Sequence, residues 1–217
     1  MIFSLNVQLA ALSERSDGDC GWRGPENRRA FLERCGMASG QLVCPSQIHS
    51  DTILRVPSGE TVLGEGDALI TDVRGVPLGI TVADCVPVWI VADDASCGAL
   101  AHAGREGTRK HIAAKAVAAL RETFGAAPEH LHALIGPSAG PCCYEVSPEL
   151  AARCATEGIP VQGRHLDLWT ANFRQLEAAG LAPEHIRVSR LCTICGDRFF
   201  SFRRGDERAR NLAVLAL

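Results

Sequence analysis

Apolar positions along the chain recur at two spacings, and these divide it into short helices and strands. Residues 109–124 (RKHIAAKAVAALRETF) set Ile112, Ala116, Leu120 and Phe124 four residues apart, with Val117 beside them. That spacing predicts an amphipathic helix, capped by Thr108 and stopped by Gly125. Residues 26–37 predict another: Pro25 suits a first helical position, Glu26 the first turn, Phe31, Leu32 and Cys35 an apolar side. Ser147-Pro148-Glu149 opens a short helix, and residues 167–179 form one more before Gly180. Residues 76–92 (VPLGITVADCVPVWIVA) are the most hydrophobic stretch. They are β-branched and punctuated by proline, so they read as two strands meeting at a turn over Ala83-Asp84-Cys85. Further strands are expected at 1–11, 68–71, 97–102, 131–135, 186–191 and 212–217. Residues 41–56 give two extended runs broken by Pro45, with the QIHSD turn between them. Residues 16–24 are polar and glycine-rich and read as a loop. With no repeat, charge block or low-complexity linker, the pattern predicts one α+β domain over 1–217, its mixed β-sheets flanked by helices.

Composition narrows the class. The chain has 217 residues, 47% hydrophobic and 22% charged, which excludes wholesale disorder. Net charge is −3, from 22 basic and 25 acidic residues. That balance argues against nucleic acid as a partner. No run of about 18 apolar residues occurs, so no membrane span is expected. The apolar N-terminal stretch lacks a basic region before it and is interrupted by Asn6 and Gln8, unlike a secretory signal. The 10 cysteines are irregularly spaced, and Cys35, Cys85, Cys97 and Cys154 fall in apolar runs. Free, largely buried thiols in a cytoplasmic protein account for them. Cys192-x-x-Cys195 is the lone CxxC and has no second pair, so a structural zinc is not expected there. Cys142 and Cys143 adjoin the glycine-rich GPSAGP, whose Gly136 and Gly140 suggest close backbone approach or a plain turn.

Polar side chains at the ends of apolar strands carry the candidate chemistry, because burying them unpaired is costly. Three places share this character: Gln47-Ile48-His49, Asp84-Cys85, and His102 before a glycine-rich turn. His49, Cys85 and His102 would make a three-ligand zinc set with an open fourth position. Unrelated buried polar residues remain the alternative, as does a cysteine hydrolase with Cys85 as nucleophile and His102 as base.

Seven motifs in order then identify a relationship. QIHSD (47–51), GDALIT (66–71), TVADCVPV (81–88), AHAGREGT (101–108), IGPSAGPCCYEV (135–146), DLWTANFRQLEAAG (167–180) and CTICGDRFFSFRRGD (192–206) resemble the YfiH-like family. That family is also called the laccase-domain or polyphenol-oxidase family. The resemblance covers residues 26–217. It implies a mixed α/β fold with zinc held by His49, Cys85 and His102; copper is the alternative metal. It implies phosphorolysis of adenosine, inosine, guanosine and methylthioadenosine, and deamination of adenosine. Older assignments in the family are copper-dependent phenol oxidation, and some bacterial relatives are linked to peptidoglycan precursor editing. The expected substrates are therefore a purine nucleoside and phosphate, in a cytoplasmic monomer or small homo-oligomer. Cys85, Asp84 and His102 are the expected catalytic residues, with a structural hydrogen-bonding role as the alternative for Asp84; Gln47, Arg105 and Cys143 are the expected substrate contacts.

Two departures stand out. The family reads AHAGWRGT where this chain reads AHAGREGT, so Arg105 takes the Trp place and Glu106 the Arg place. A glutamate facing phosphate would repel it, unless Arg105 or Arg109 supplies the charge. Glu106→Arg is then expected to restore phosphorolysis, and a member with altered or reduced activity is a further alternative. The family's Arg-Gly-Gly-Val-Ser stretch before Ser-Leu-Asn has no counterpart ahead of Ser4-Leu5-Asn6.

Overall fold

The computed structural model describes residues 1–3, 5, 7, 9–38, 41–57 and 62–217. Along the chain run β1 (Leu9–Leu12), α1 (Pro25–Arg34), β2 (Cys44–Ser46), β3 (Ile53–Arg55), β4 (Val62–Glu65) and β5 (Ala68–Thr71). Next come β6 (Leu78–Val82), β7 (Val86–Ala92), β8 (Gly98–Ala103), α2 (Arg105–Arg109), α3 (Ile112–Phe124) and β9 (Leu131–Ile135). The chain continues with α4 (Pro148–Thr156), β10 (Val161–Gln162), β11 (His165–Leu166), α5 (Leu168–Ala178), β12 (Ile186–Val188) and β13 (Asn211–Ala216).

Two sheets carry the architecture. A mixed six-stranded sheet has the order β12-β9-β7-β8-β5-β3, and a three-stranded antiparallel sheet the order β1-β13-β6. Strand alternation stacks them into layers. From β7, Val86, Val88, Ile90 and Ala92 pack on one face with Ile112, Ala116 and Leu120 of α3 and Leu168 and Leu176 of α5. Trp89 and Val91 point the other way, onto Leu78 and Ile80 of β6 and Ala213 and Leu215 of β13. The alternate residues of β13, Leu212, Val214 and Ala216, face Phe31 and Leu32 of α1. Strands buried on both faces need continuous apolar runs, which is why residues 86–92 are wholly apolar. Trp89 keeps its one donor satisfied by giving Nε1–H to Val214 O at 2.8 Å.

The α+β class with helices flanking mixed sheets is as the sequence predicts, and several boundaries differ. The strands at 76–92 form no hairpin: β6 pairs with β13, whereas β7 pairs with β8 and β9. The 83–85 link therefore crosses between sheets. Thr108 caps nothing. It lies inside α2, buried, with its hydroxyl donated to Ala103 O at 3.2 Å. α3 begins only after His111, whose φ of 61° breaks the helical path. Pro45 sits inside β2, so the break falls at the QIHSD turn instead. α1 ends at Arg34, and β12 stops at Val188 because Arg190 has a φ of 54°. Within the expected strand at 1–11, residues 4, 6 and 8 lie outside the described residues; β1 itself begins at Leu9.

Candidate functional site

The site lies where β6, β7 and β8 end or begin beside the turn after β2. A buried carboxylate organises it. Asp67, just ahead of β5, accepts hydrogen bonds from the backbone N–H groups of Ile48 (3.2 Å), His49 (3.1 Å) and Ser50 (2.6 Å). It also accepts the Ser50 hydroxyl at 2.8 Å. These bonds hold the QIHSD turn with His49 at a φ of 58°, a conformation that non-glycine residues adopt rarely. Asp67 Oδ1 also lies 2.8 Å from His102 Nδ1 at the end of β8. A carboxylate on one ring nitrogen fixes the tautomer and orients the other nitrogen, Nε2, toward a ligand.

Cys85 completes the group. Its Sγ is 4.0 Å from His49 Nε2, and the ligand atoms of His49, Cys85 and His102 all lie within 4.8 Å of one another. The His49 and His102 rings meet edge to face, with centroids 4.9 Å apart. Zinc bonds of about 2.0–2.3 Å set tetrahedral ligand atoms roughly 3.5 Å apart, so a small inward movement closes this set round one ion. Donor chemistry agrees, since two imidazoles and a thiolate suit zinc and also accept copper. Burial opposes the Cys85 thiolate, yet the His102 charge and hydrogen bonds from His102 and His49 bring the thiol below its ordinary value. Burial opposes protonated His102 too, and there the Cys85 charge and the Asp67 hydrogen bond prevail, raising it. Asp67 stays ionised well below the usual carboxylate range: burial is outweighed by bonds from His102 and Ser50. Gly104 is required beside this group, because a Cβ there would stand 2.8 Å from Cys85 Sγ.

A cavity of about 470 Å³ opens over the three residues. Its walls include Trp22, Tyr144 and Phe202 with Arg105, Arg203 and Arg210. Trp22 and Phe202 are 66% and 53% exposed, so two large apolar side chains stand in solvent at its mouth. Tyr144 carries the Arg203 guanidinium 5.0 Å from its ring centre.

The expected residues fare differently. Asp84 lines the cavity at a φ of 81°, but both its oxygens are engaged. Oδ1 accepts the Thr193 hydroxyl at 2.6 Å and Oδ2 the Arg203 N–H at 2.7 Å. It thereby ties the Cys85 turn to the segment holding Arg203. Gln47 also lines the cavity, with its amide committed to Thr81: Oε1 accepts from Thr81 N and Oγ1, and Nε2 donates to Thr81 O. Arg105 lines the cavity as expected. Glu106 does not. Its carboxylate turns to Arg109 Nε (2.9 Å), Arg105 Nε (3.3 Å) and an Arg153 nitrogen (3.7 Å). Of the two arrangements the sequence left open, Glu106 facing phosphate or Arg105 or Arg109 supplying the charge, helix α2 favours the second by pointing Glu106 at three arginines. Cys143 is likewise absent from the cavity wall and faces Cys195, 3.4 Å away. Asp67, Tyr144, Arg203, Trp22 and Phe202 were not among the expected site residues. Asp67 and Tyr144 lie within GDALIT and CCYEV, and a buried-charge argument applied to GDALIT would have found the first.

Comparison with known proteins places the chain in a family. The family model described as "Multi-copper polyphenol oxidoreductase laccase" matches residues 11–217. Purine nucleoside phosphorylase YlmD of Geobacillus stearothermophilus is 35% identical, over 93% of this chain and 78% of its own. Adenosine deaminase RL5, from an unknown prokaryotic organism, is 34% identical over 86% and 77%. The crystal structure of the hypothetical protein YfiH from Bacillus licheniformis superposes with a TM-score of 0.88 at 28% identity, over 96% of this chain and 92% of that one. A match this extensive, on the scaffold that gathers His49, Cys85 and His102, means that the chain belongs to the YfiH-like, laccase-domain family.

Proposed function

We propose that this chain is a zinc-dependent purine nucleoside enzyme that cleaves nucleosides with phosphate and deaminates adenosine. The observation that carries the reading is the convergence of His49, Cys85 and His102 at the base of a cavity sized for a nucleoside. The names of the YlmD and RL5 relatives supply the two reaction classes. In phosphorolysis the bond between C1′ and the base nitrogen breaks and a C1′–oxygen bond to phosphate forms, giving free base and ribose 1-phosphate. In deamination a water oxygen replaces the C6 amino group, which leaves as ammonia.

The three ligands would hold the ion, and when bound, zinc supplies Lewis-acid activation of water near neutral pH. The remaining tasks fall to the side chains that surround the three ligands. Asp67 keeps a proton on His102 Nδ1, so that Nε2 serves as the ligand atom. Arg105, Arg203 and Arg210 give the cavity three cationic groups for phosphate. Tyr144, Trp22 and Phe202 offer flat apolar faces to a purine. Asp84 positions the Arg203 backbone through Oδ2.

Multi-copper phenol oxidation finds less support. That chemistry uses several coppers and many imidazoles, whereas this chain has 7 histidines and the group contains two of them. A thiol hydrolase draws on the Cys85–His102–Asp67 succession and requires a metal-free Cys85.

The deciding experiment incubates adenosine with and without phosphate and follows products chromatographically, alongside metal analysis of the protein. The expected result is adenine and ribose 1-phosphate only with phosphate, and inosine with ammonia in either case. Cys85→Ala should lose the metal and both activities together. No turnover of any purine nucleoside by metal-loaded protein, or full activity of metal-free protein, overturns the reading.

A further inference from the structure

Outside the cavity, four thiols meet. Cys142 and Cys143 follow β9, Cys192 and Cys195 follow β12, and all four sulfurs lie within 4.8 Å of one another. β9 and β12 are parallel neighbours, so their C-terminal ends release both loops on one side of the sheet. That topology joins a CC pair and a CxxC pair some fifty positions apart in sequence, which no local spacing reveals. The lone CxxC therefore has a second pair after all, contrary to the expectation from the sequence.

Packing does not account for this meeting. A thiol used as a small hydrophobe is buried, as Cys20, Cys97 and Cys154 are here, but Cys142 and Cys195 are exposed. Disulfide pairing does not account for it either. Cys195 Sγ is 3.4 Å from both Cys142 Sγ and Cys143 Sγ, so neither partner is singled out. We propose that Cys142, Cys143, Cys192 and Cys195 form a second metal site, binding one tetrahedral zinc ion through four thiolates.

Zinc–sulfur bonds of about 2.3 Å place tetrahedral sulfurs roughly 3.8 Å apart, a spacing that a cluster spanning 3.4 to 4.8 Å already brackets. So tight a group surrounds one ion and leaves no room for an iron–sulfur cluster. A backbone donor serves one of these sulfurs. The Gly140 N–H donates to Cys192 Sγ at 3.3 Å. Gly140 is fixed in that role, since a Cβ would stand 2.6 Å from the Trp169 ring and 3.2 Å from Cys192 Cβ.

The ion would clamp two loops that reach the cavity. Thr193, inside the CxxC turn, gives its hydroxyl to Asp84 beside Cys85. Tyr144, next to Cys143, lines the cavity under Arg203. This inference does not depend on the nucleoside reading, because it concerns other ligands.

The test is metal content by mass spectrometry of protein purified under reductant with zinc supplied. Wild type should hold about two zinc ions, against about one for the Cys142→Ser/Cys195→Ser variant and about one for His49→Ala/His102→Ala. Cobalt added to metal-free His49→Ala/His102→Ala protein should give intense sulfur-to-cobalt charge transfer and tetrahedral visible bands. Should the double cysteine variant not fold, Cys142→Ser alone, at an exposed position, should lose its second zinc to a chelator before wild type does. Equal metal content in wild type and cysteine variants overturns the proposal. So does absence of the cobalt–thiolate band, or a Cys142–Cys195 or Cys143–Cys195 disulfide in the reduced preparation. One zinc that only the cysteine variant loses supports this site and counts against the nucleoside-site zinc; one zinc that only the histidine variant loses does the reverse.

Discussion

Replacing Glu106 tests the arrangement around Arg105 more sharply than removing a metal ligand would. Its carboxylate sits 2.9 Å from Arg109 Nε, 3.3 Å from Arg105 Nε and 3.7 Å from an Arg153 nitrogen, with its side chain 28% exposed. Hydrogen bonding from Arg109, and then from Arg105, holds its pKa below the ordinary value. Partly exposed pairs of this kind contribute about 0.2–1 kcal/mol each. Glu106→Arg exchanges three such attractions for repulsions, a loss on the order of 2–4 kcal/mol. For a chain of this size that lowers the melting temperature by roughly 5–15 °C. Glu106→Gln behaves differently. A phosphate held by Arg105 would stand ~7 Å from the carboxylate, where repulsion amounts to about 0.6–1.2 kcal/mol at an effective dielectric of 40–80. Removing that charge should lower the KM for phosphate about 3–7-fold with kcat little changed. The assay is phosphate-dependent release of adenine from adenosine, with thermal melts of each variant alongside. Should Glu106→Arg melt like wild type and phosphorolyse faster, Glu106 faces the substrate and the three-arginine account is wrong.

Other consequences follow from single contacts. Asp67→Asn sets an amide donor against three backbone N–H groups and His102, so zinc affinity should fall about 10–100-fold in a chelator competition. Asp67 has its folded pKa lowered, so its contribution to stability is complete above about pH 4, the unfolded value, and is lost as pH falls further. Acid-unfolding curves of Asp67→Asn should accordingly be flatter below that pH than those of wild type, and parallel curves would refute the assignment. Gly104→Ala should reduce metal content measured on purified protein, because its methyl would meet Cys85 Sγ at 2.8 Å. Leu120→Ala, at a fully buried position of α3, should cost about 2–5 kcal/mol in denaturant unfolding and leave zinc content alone.

Much of the scaffold was legible because it rests on local periodicity. The apolar step through Ile112, Ala116 and Leu120 could satisfy only a helix packed on one side, and the run Val86–Ala92 only a strand covered on both. The motifs around His49, Cys85 and His102 pointed to one metal-capable group through their resemblance to the family, whereas the residues alone left unrelated buried polar groups open. What sequence order does not encode is which loops come to share a sheet edge and which way a side chain leaves its helix. Whether Glu106 meets phosphate was open in the sequence, and the rotation of a five-residue helix hands it to Arg105, Arg109 and Arg153. Asp84 was open between moving protons and a structural hydrogen-bonding role, and the crossover from β6 to β7 brings Thr193 and Arg203 onto both its oxygens. Cys143 and Cys195 lie far apart in sequence, and only the parallel pairing of β9 with β12 sets their sulfurs 3.4 Å apart. Periodicity is a property of neighbours along the chain and reads directly from it; convergence depends on long-range strand pairing, which the sequence specifies only through the packing of the whole core.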